Sequence, residues 1–476
     1  MTVHEDDAIP MTLLDLLSNH LILSHIAPYL PVKELLSLSA TCKPFQFLIF
    51  DTPQIFRYLD LSDVKSAAKA FPPIDAGGEI WRSEPMDMAI TEDDFYAGPL
   101  RGIFAHLSRR RILQDVQILI LDGLSVPADL VREIVLESRF NVKLLSIREA
   151  KNLNERKLMQ VLRYACRPTR DEGTPKLKGL YVFGPKHSEE STARPGTSRT
   201  GGLLGQNNRM SEGAQIGSQW NHRSQSALNS SVGQWYGDGK VILRQPVAEW
   251  ADTIQYCQDL IAFDAILCQG PRHSYTSAAT PDSDSTEFNY LHPAVATVSL
   301  GDTGCQTCQS IPEGPAVFGE SPSNRFPLFA PPPLRSSTVL AAQRPPNHSD
   351  QSPARLYVRC NECLHERWCE RCNKFWCESC YKATTRTNLQ QVEAAIDLEN
   401  SNGFDLVGEA SSGPKMGIEP NRSCWECGRK CLSCAKETKR VCRFCSGSYC
   451  LDHNEGSSDT TCDWCAKSGR RTRELY

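Results

Sequence analysis

The sequence predicts a multidomain α+β protein: a three-helix N-terminal unit, an irregular strand–helix repeat region, and small metal-stapled modules at the C-terminal end. Three observations carry this. Residues 11–61 place leucines at helical spacing, punctuated by proline. Residues 112–300 alternate short apolar runs with amphipathic helical stretches. Beyond residue 357, cysteines recur in pairs two residues apart.

Length and composition set the frame. At 476 residues, a prior of about 150 residues per domain gives two to four domains. Apolar residues are 40% and charged residues 23%, near globular values with room for unstructured segments. The net charge of −4 creates no global field for nucleic acid or anionic membrane. The opening MTVHEDDAIP is acidic, unlike a signal or transit peptide. The apolar stretch Leu13 to Leu30 is broken by Asp15, Asn19, His20 and His25, so it does not read as a membrane span. We expect an intracellular protein of cytoplasm or nucleus with no membrane partner. In that compartment 21 cysteines point to metal more than to disulfides.

In the N-terminal unit, Leu14, Leu17 and Leu21, then Ile22, Ile26 and Tyr29, make two adjoining helical stripes. Pro31 opens a second helix, where its missing N–H costs nothing, and that helix carries Leu35, Leu36 and Leu38. Phe45, Phe47, Leu48, Ile49 and Phe50 follow, and Asp51-Thr52-Pro53 ends the run. A unit this small buries only about 60% of its surface alone, so its excess of large apolar side chains must meet something else.

Residues 29–61, YLPVKELLSLSATCKPFQFLIFDTPQIFRYLDL, resemble the F-box through Leu30-Pro31, Glu34-Leu35-Leu36, Leu38-Ser39, Cys42-Lys43 and Phe45. Two departures stand out. Leu14-Asp15 occupies the place of the family's opening Leu-Pro, and Phe45 and Phe56 replace its tryptophans. The resemblance implies an F-box protein of the fungal type that docks onto the Skp-type adaptor, and through it the cullin, of an SCF ubiquitin ligase. It implies adaptor contacts from Leu14, Leu17, Leu21, Ile22, Leu30, Pro31, Leu35 and Leu38.

Residues 62–111 read as a connecting helical region, with helix expected at SAAKA and around Phe104 to Arg111. From residue 112 the units are strand, turn, helix. Val116–Leu121 precedes a helix from Asp129 to Glu137, Val142–Ile147 precedes one from Glu155 to Ala165, and Leu177–Phe183 is a third strand. Such units cannot close a core singly and must stack. The step from Val116 to Val142 is 26 residues, within repeat range, whereas the next, to Leu177, is 35. Residues 144–166 resemble the leucine-rich repeats that follow many F-boxes. Residues 185–239, rich in Ser, Gly, Asn, Gln and Arg, read as a disordered insertion. A helix from Val247 to Ile261, a strand-like FDAILCQ and a further strand at Val295–Leu300 resume the repeats. Residues 301–355 read as a Pro-rich extended linker.

The cysteine-rich region spans 357–467, with a loop at 383–422. Its pairs are Cys360/Cys363, Cys369/Cys372, Cys377/Cys380, Cys424/Cys427, Cys431/Cys434, Cys442/Cys445, Cys450/His453 and Cys462/Cys465. Two intervening residues let a knuckle present both side chains to one ion, so sixteen ligands make four closed tetrahedral Zn²⁺ sites. WCERCNKFWCESCY and VCRFCSGSYCLDHN share one spacing, which suggests a duplicated cross-braced module. On that scheme Cys360 and Cys363 join Cys377 and Cys380, and Cys369 and Cys372 join Cys424 and Cys427. Cys431 and Cys434 join Cys450 and His453, and Cys442 and Cys445 join Cys462 and Cys465. A serial pairing of neighbours is the rival. Cys305/Cys308 reads as a spare thiol pair or a turn, His365 as an exposed imidazole, and Cys42, Cys166, Cys257 and Cys268 as core residues.

These readings lead to a non-catalytic receptor subunit that grips the adaptor with its F-box and holds a protein substrate with the repeats and zinc region. It would raise the substrate's effective concentration near a conjugating enzyme. The alternative is a RING-like ligase acting through its own zinc modules, with Trp376 or Trp464 as surface contacts. A nucleic-acid role has weaker support, since the basic residues from Arg429 to Arg473 come without a recognition helix of C-x2-C and H-x3-H spacing. Every metal set closes at four ligands, which leaves no open position for catalysis. GGLLGQ and GDGK lack the strand context of phosphate loops.

Overall fold

The computed structural model describes residues 12–67, 92–186, 246–273, 291–300, 304–309, 314–329, 331–344, 355–364, 367–377, 380, 418–419, 429–454 and 456–466. The N-terminal unit contains α1 (Leu13–Ser18), α2 (His20–Ile26), α3 (Val32–Thr41) and α4 (Lys43–Asp51). The expected first helix is split at Asn19, whose side chain accepts the Leu21 N–H at 3.0 Å and restarts the chain as α2. Asp15, where the F-box pattern has proline, closes a capping box instead. Its carboxylate takes the Thr12 N–H at 3.0 Å, while Thr12 Oγ1 accepts the Asp15 N–H at 3.2 Å.

The N-terminal unit does not end at residue 61 as a separate domain. Its last residues form β1 (Tyr58–Asp60), the first strand of a five-stranded parallel sheet. The chain continues through α5 (Glu92–Arg109), β2 (Ile118–Ile120), α6 (Ala128–Leu136), β3 (Leu144–Ser146), α7 (Glu155–Ala165), β4 (Gly179–Tyr181), α8 (Glu249–Cys257) and β5 (Ala262–Phe263). Strand order follows chain order, β1 to β5, and α6 packs on α7 as α7 packs on α8. Each helix buries one stripe: Leu130, Val131, Ile134 and Val135 from α6, and Leu158, Met159, Leu162 and Ala165 from α7. Asn154 starts α7 by accepting the Lys157 N–H at 3.1 Å. Of the SAAKA helix, residues 66–67 lie in a turn and the rest falls outside the described residues, as does nearly all of 185–239.

Buried polar pairs knit successive strands. The Asp122 and Arg148 side chains, each 2% exposed, meet at 2.6 Å, and Ser146 Oγ donates to Asp122 at 2.6 Å. Asp264, fully buried, accepts N–H bonds from Val182, Phe183 and Gly184. Burial nonetheless pushes its carboxyl up to about 6, against the opposing pull of those donors.

Two expectations for the second half of the chain are corrected. Val295–Leu300 is not a further repeat strand. Its β6 (Val298–Leu300) lies with β7 (Ala316–Val317) on either side of β8 (Arg355–Arg359) in a separate antiparallel sheet. Residues 301–355 are not a free linker, because three apolar anchors give this segment a place in the core. Phe326, Leu328 and Phe329 are buried, and Leu328 donates its N–H to the Phe263 carbonyl at 2.8 Å. The segment then crosses the sheet face away from the helices. Leu328 and Ala342 pack there on Ile118, Ile120, Leu144 and Tyr181. Gly179 admits Leu328, since a Cβ at 179 would lie 2.6 Å from Leu144 Cδ2 and 3.2 Å from Leu328 Cδ1. At the far side Arg57 donates to the Leu334 carbonyl, and Arg335 Nε reaches the Tyr29 hydroxyl at 3.1 Å.

One apolar cluster runs from Leu17 through the repeats to Cys360 and Cys363. The tail adds a pair of two-stranded sheets, β9 (Ile418–Glu419) with β10 (Lys430–Cys431), and β11 (Lys439–Val441) with β12 (Ser448–Cys450). The helix α9 (Leu432–Thr438) connects the two. No helix among the described residues is long and apolar enough to cross a membrane.

Candidate metal centres and docking face

On the N-terminal unit the eight expected contact residues divide by burial. Leu17 and Leu35, 5% and 1% exposed, belong to the protein's own core, which corrects their assignment to a docking face. Leu35 sits on the inner stripe of α3, and the contiguous cluster with Leu23 and Ile49 takes it up. Leu14, Ile22, Leu30 and Leu38 are half-buried, and Leu21 and Pro31 are exposed. The largest exposed apolar side chains here are Leu21 at 68%, Phe47 at 63%, Leu13 and Tyr29. Leu13, Leu16 and Phe47, also exposed, stand outside the contact set that periodicity and resemblance give. A stripe marks which residues share a face, and the break at Asn19 turns α1 relative to α2.

Among the described residues, four groups of side chains each bring four ligand atoms within 4.8 Å of one another. The first joins Cys268, His273, Cys360 and Cys363; the second Cys305, Cys308, Cys377 and Cys380; the third Cys369, Cys372, Cys431 and Cys434; the fourth Cys442, Cys445, Cys462 and Cys465. Sγ–Sγ separations are 3.7 Å for Cys308–Cys377, 3.7 Å for Cys372–Cys431 and 3.8 Å for Cys445–Cys462. Two thiolates on a tetrahedral ion with bonds near 2.3 Å stand about 3.8 Å apart, so the spacing fits a metal and is far too long for a disulfide.

Backbone amides already face these sulfurs. Cys268 Sγ accepts the Cys360 N–H at 3.1 Å and the Gly270 N–H at 3.4 Å, and Cys305 Sγ accepts the Cys377 N–H at 3.3 Å. Hydrogen bonds from the N–H groups of Cys462 and Cys445 draw the Cys442 thiol down to about 6. In the first group, hydrogen bonding from Cys268 and Cys363 lowers Cys360, while hydrogen bonding to Cys268 and Cys360 raises Cys363. Adjacent sulfurs cannot all ionise without a cation between them. His273 is oriented for the role. Its Nδ1 faces the Leu291 carbonyl at 3.3 Å, which leaves Nε2 3.2 Å from Cys360 Sγ.

The expected pairing scheme is therefore corrected in most of its parts. Cys360 and Cys363 meet Cys268 and His273, not Cys377 and Cys380. Cys377 and Cys380 take Cys305 and Cys308, so that pair is no spare. Cys369 and Cys372 take Cys431 and Cys434, which separates the latter from Cys450 and His453. With the third tetrahedron filled, Cys450 instead has Lys430 Nζ at 3.5 Å, and His453 is exposed outside every group. Cys442 and Cys445 do meet Cys462 and Cys465 as expected. Cys424, Cys427 and His365 lie outside the described residues.

Strand pairing explains the exchange of partners. The Cys268 N–H bonds the Ala294 carbonyl at 2.8 Å, and Val298 pairs with Arg359, which sets Cys360 beside Cys268. Cys305 bridges Phe375, beside Cys377, and the Glu370 N–H bonds the Arg429 carbonyl at 2.8 Å, which draws Cys369 toward Cys431. Along the chain the first three groups interleave, each pair closing across the next, and only the fourth is local. Trp376 is buried between clusters at 8% exposure and offers no surface contact, whereas Trp464 is 79% exposed.

Residues 20–62 match the F-box-like family model. No curated protein matches the chain.

Proposed function

We propose that this protein is the substrate-receptor subunit of an SCF-type ubiquitin ligase, docking its F-box-like unit on a Skp-type adaptor and through it on a cullin, in cytoplasm or nucleus. The observation that carries this reading is the coincidence of the family match at residues 20–62 with an exposed apolar set, Leu21, Ile26, Tyr29 and Phe47, on that same unit. Large apolar side chains left in water beside a complete core are what a partner's groove would cover. The receptor performs no chemistry. Because β1 belongs to both the F-box-like unit and the parallel sheet, the adaptor and any substrate on the repeats would be held at a set separation. We read the strand–helix stack as leucine-rich-repeat-like. Its open sheet face is occupied by the chain's own Leu328 and Ala342, which directs substrate to the ends of the stack or to the tail.

We assign Zn²⁺ to the four clusters. Fifteen thiolates and one imidazole in closed fours suit structural zinc, which contributes about 10–16 kcal/mol of apparent binding free energy per site in small zinc domains. The test is copurification of adaptor and cullin with the whole chain and with a chain lacking residues 11–61. Retention of both by the truncated chain would end this reading.

One observation favours a second reading, a RING-like ligase. Phe444 and Trp464, 78% and 79% exposed, project from the two knuckles of the fourth cluster and could seat a conjugating enzyme. Autoubiquitination by the full chain with its F-box leucines mutated would support it.

A further inference from the structure

The parallel sheet ends at β5, and the returning segment 323–343 runs alongside it. Between them lies an open cleft of about 490 Å³, within the usual range for ligand sites. Leu260, Leu267 and Val339, all half-buried, supply apolar lining over a floor of buried Ile261, Phe263 and Phe326. Two cations border it, Lys178 and Arg325. Lys178 makes no ion pair among the described residues, and Arg325 donates through Nε at 3.2 Å and Nη2 at 2.7 Å only to the neutral amide oxygen of Gln269. Among the described residues the one carboxylate in the lining, Asp259, is exposed. The cleft thus carries a net positive charge of one (Lys178 and Arg325 less Asp259) in a chain whose net charge is −4.

We propose that this cleft binds an acidic–apolar peptide segment, with a large apolar side chain against Leu260, Leu267 and Val339 and a neighbouring Asp or Glu carboxylate between Lys178 and Arg325. Charge complementarity selects this occupant, because two half-buried cations outnumber the single carboxylate beside them and make no ion pair among the described residues, while the surface between is apolar. A single-stranded nucleic acid would call for exposed rings to stack its bases and a cationic track along its phosphates, whereas the rings lining this cleft are buried and its cations are two. The position suits a receptor. The cleft lies at the β5 edge, four strand spacings or about 19 Å from β1, where the F-box-like unit joins. The substrate class named here rests on the receptor reading, but the binding itself does not.

The test uses the zinc-loaded full chain on beads and a degenerate synthetic octapeptide library containing Asp, Glu, phosphoserine and all neutral residues. The expected result is at least fivefold enrichment of Asp or Glu next to Leu, Phe or Met. In the K178Q/R325Q variant the acidic preference is lost and the apolar preference kept, with the melting temperature unchanged in K178Q alone. Absence of acidic enrichment overturns the proposal, as does enrichment that survives in the variant. Phosphoserine enriched in place of Asp and Glu overturns the carboxylate assignment, and displacement of bound peptide by a dT20 oligonucleotide overturns the peptide one. Adaptor copurification is scored on the same preparations. Adaptor binding without acidic enrichment sinks the cleft alone, and acidic enrichment without adaptor binding sinks the receptor reading alone.

Discussion

Replacing Cys268 by serine separates two accounts of the first cluster. The residue is 7% exposed at the end of the repeat stack, and by position alone it resembles an ordinary core thiol. As a core thiol, its change to serine would cost about 1–3 kcal/mol for an imperfectly paired hydroxyl and would leave metal content untouched. As a ligand, it supplies one of four donors to a site worth about 10–16 kcal/mol in free zinc modules, and serine is a poor substitute for a thiolate. Native mass spectrometry after dialysis against a mild chelator should then show three ions per chain in place of the four that the four clusters imply. Gly270→Ala makes the same test without removing a ligand. Its Cβ would stand 2.5 Å from Cys363 Sγ and 3.3 Å from Cys268 Sγ, so the knuckle must shift and the same ion should be lost. Cys268→Ser retaining four ions, while Cys424→Ser loses one, would refute the pairing and restore the one read from local spacing.

Leu21→Glu should abolish adaptor copurification without lowering the melting temperature, since Leu21 is 68% exposed, whereas Leu35→Ala, at 1%, should cost about 2–5 kcal/mol in denaturant unfolding. Gly179→Ala forces a methyl into the contact with Leu144 and Leu328 and should cost about 1–3 kcal/mol, read as a lower denaturation midpoint. Asp122→Ala leaves the Arg148 guanidinium buried without its counter-charge and should cost about 3–5 kcal/mol, more than the double change of both residues to apolar ones. Asp264 has a folded pKa of about 6, above its ordinary 3.8, so the folded chain binds the extra proton and this group's contribution rises as pH falls from above 6 toward 4. The stability of wild type minus that of Asp264→Asn should therefore rise by about 1 kcal/mol from pH 7 to pH 5, and a fall in that signed difference would contradict it.

The N-terminal helices, the strand–helix alternation and the knuckles were legible because each depends on local spacing. The run Val116–Leu121 contains β2, Val142–Ile147 contains β3, and the helix Glu155–Ala165 has the boundaries its periodicity predicts. The extent of β1 was not legible, since Tyr58-Leu59-Asp60 is too short to show a period and becomes a strand through its parallel pairing with β2. The Pro-rich segment reads as a linker because its few apolar residues have no periodicity. Leu328 is held by a space that Gly179 leaves open, and nothing near Leu328 in sequence announces it.

What the sequence settles by itself is the unit of each device. Two residues between cysteines make a knuckle, an apolar stripe makes a helix face, and Asn or Thr at a boundary starts a turn of helix. Which units meet is decided in three dimensions. Cys268 and Cys360 are 92 residues apart, and only the pairing of β6 with β8 brings one backbone N–H within 3.1 Å of the other sulfur. Likewise Leu21 and Leu35 have the same chemistry, yet one is exposed and the other buried, because burial belongs to the packing of helices on one another and not to any side chain alone.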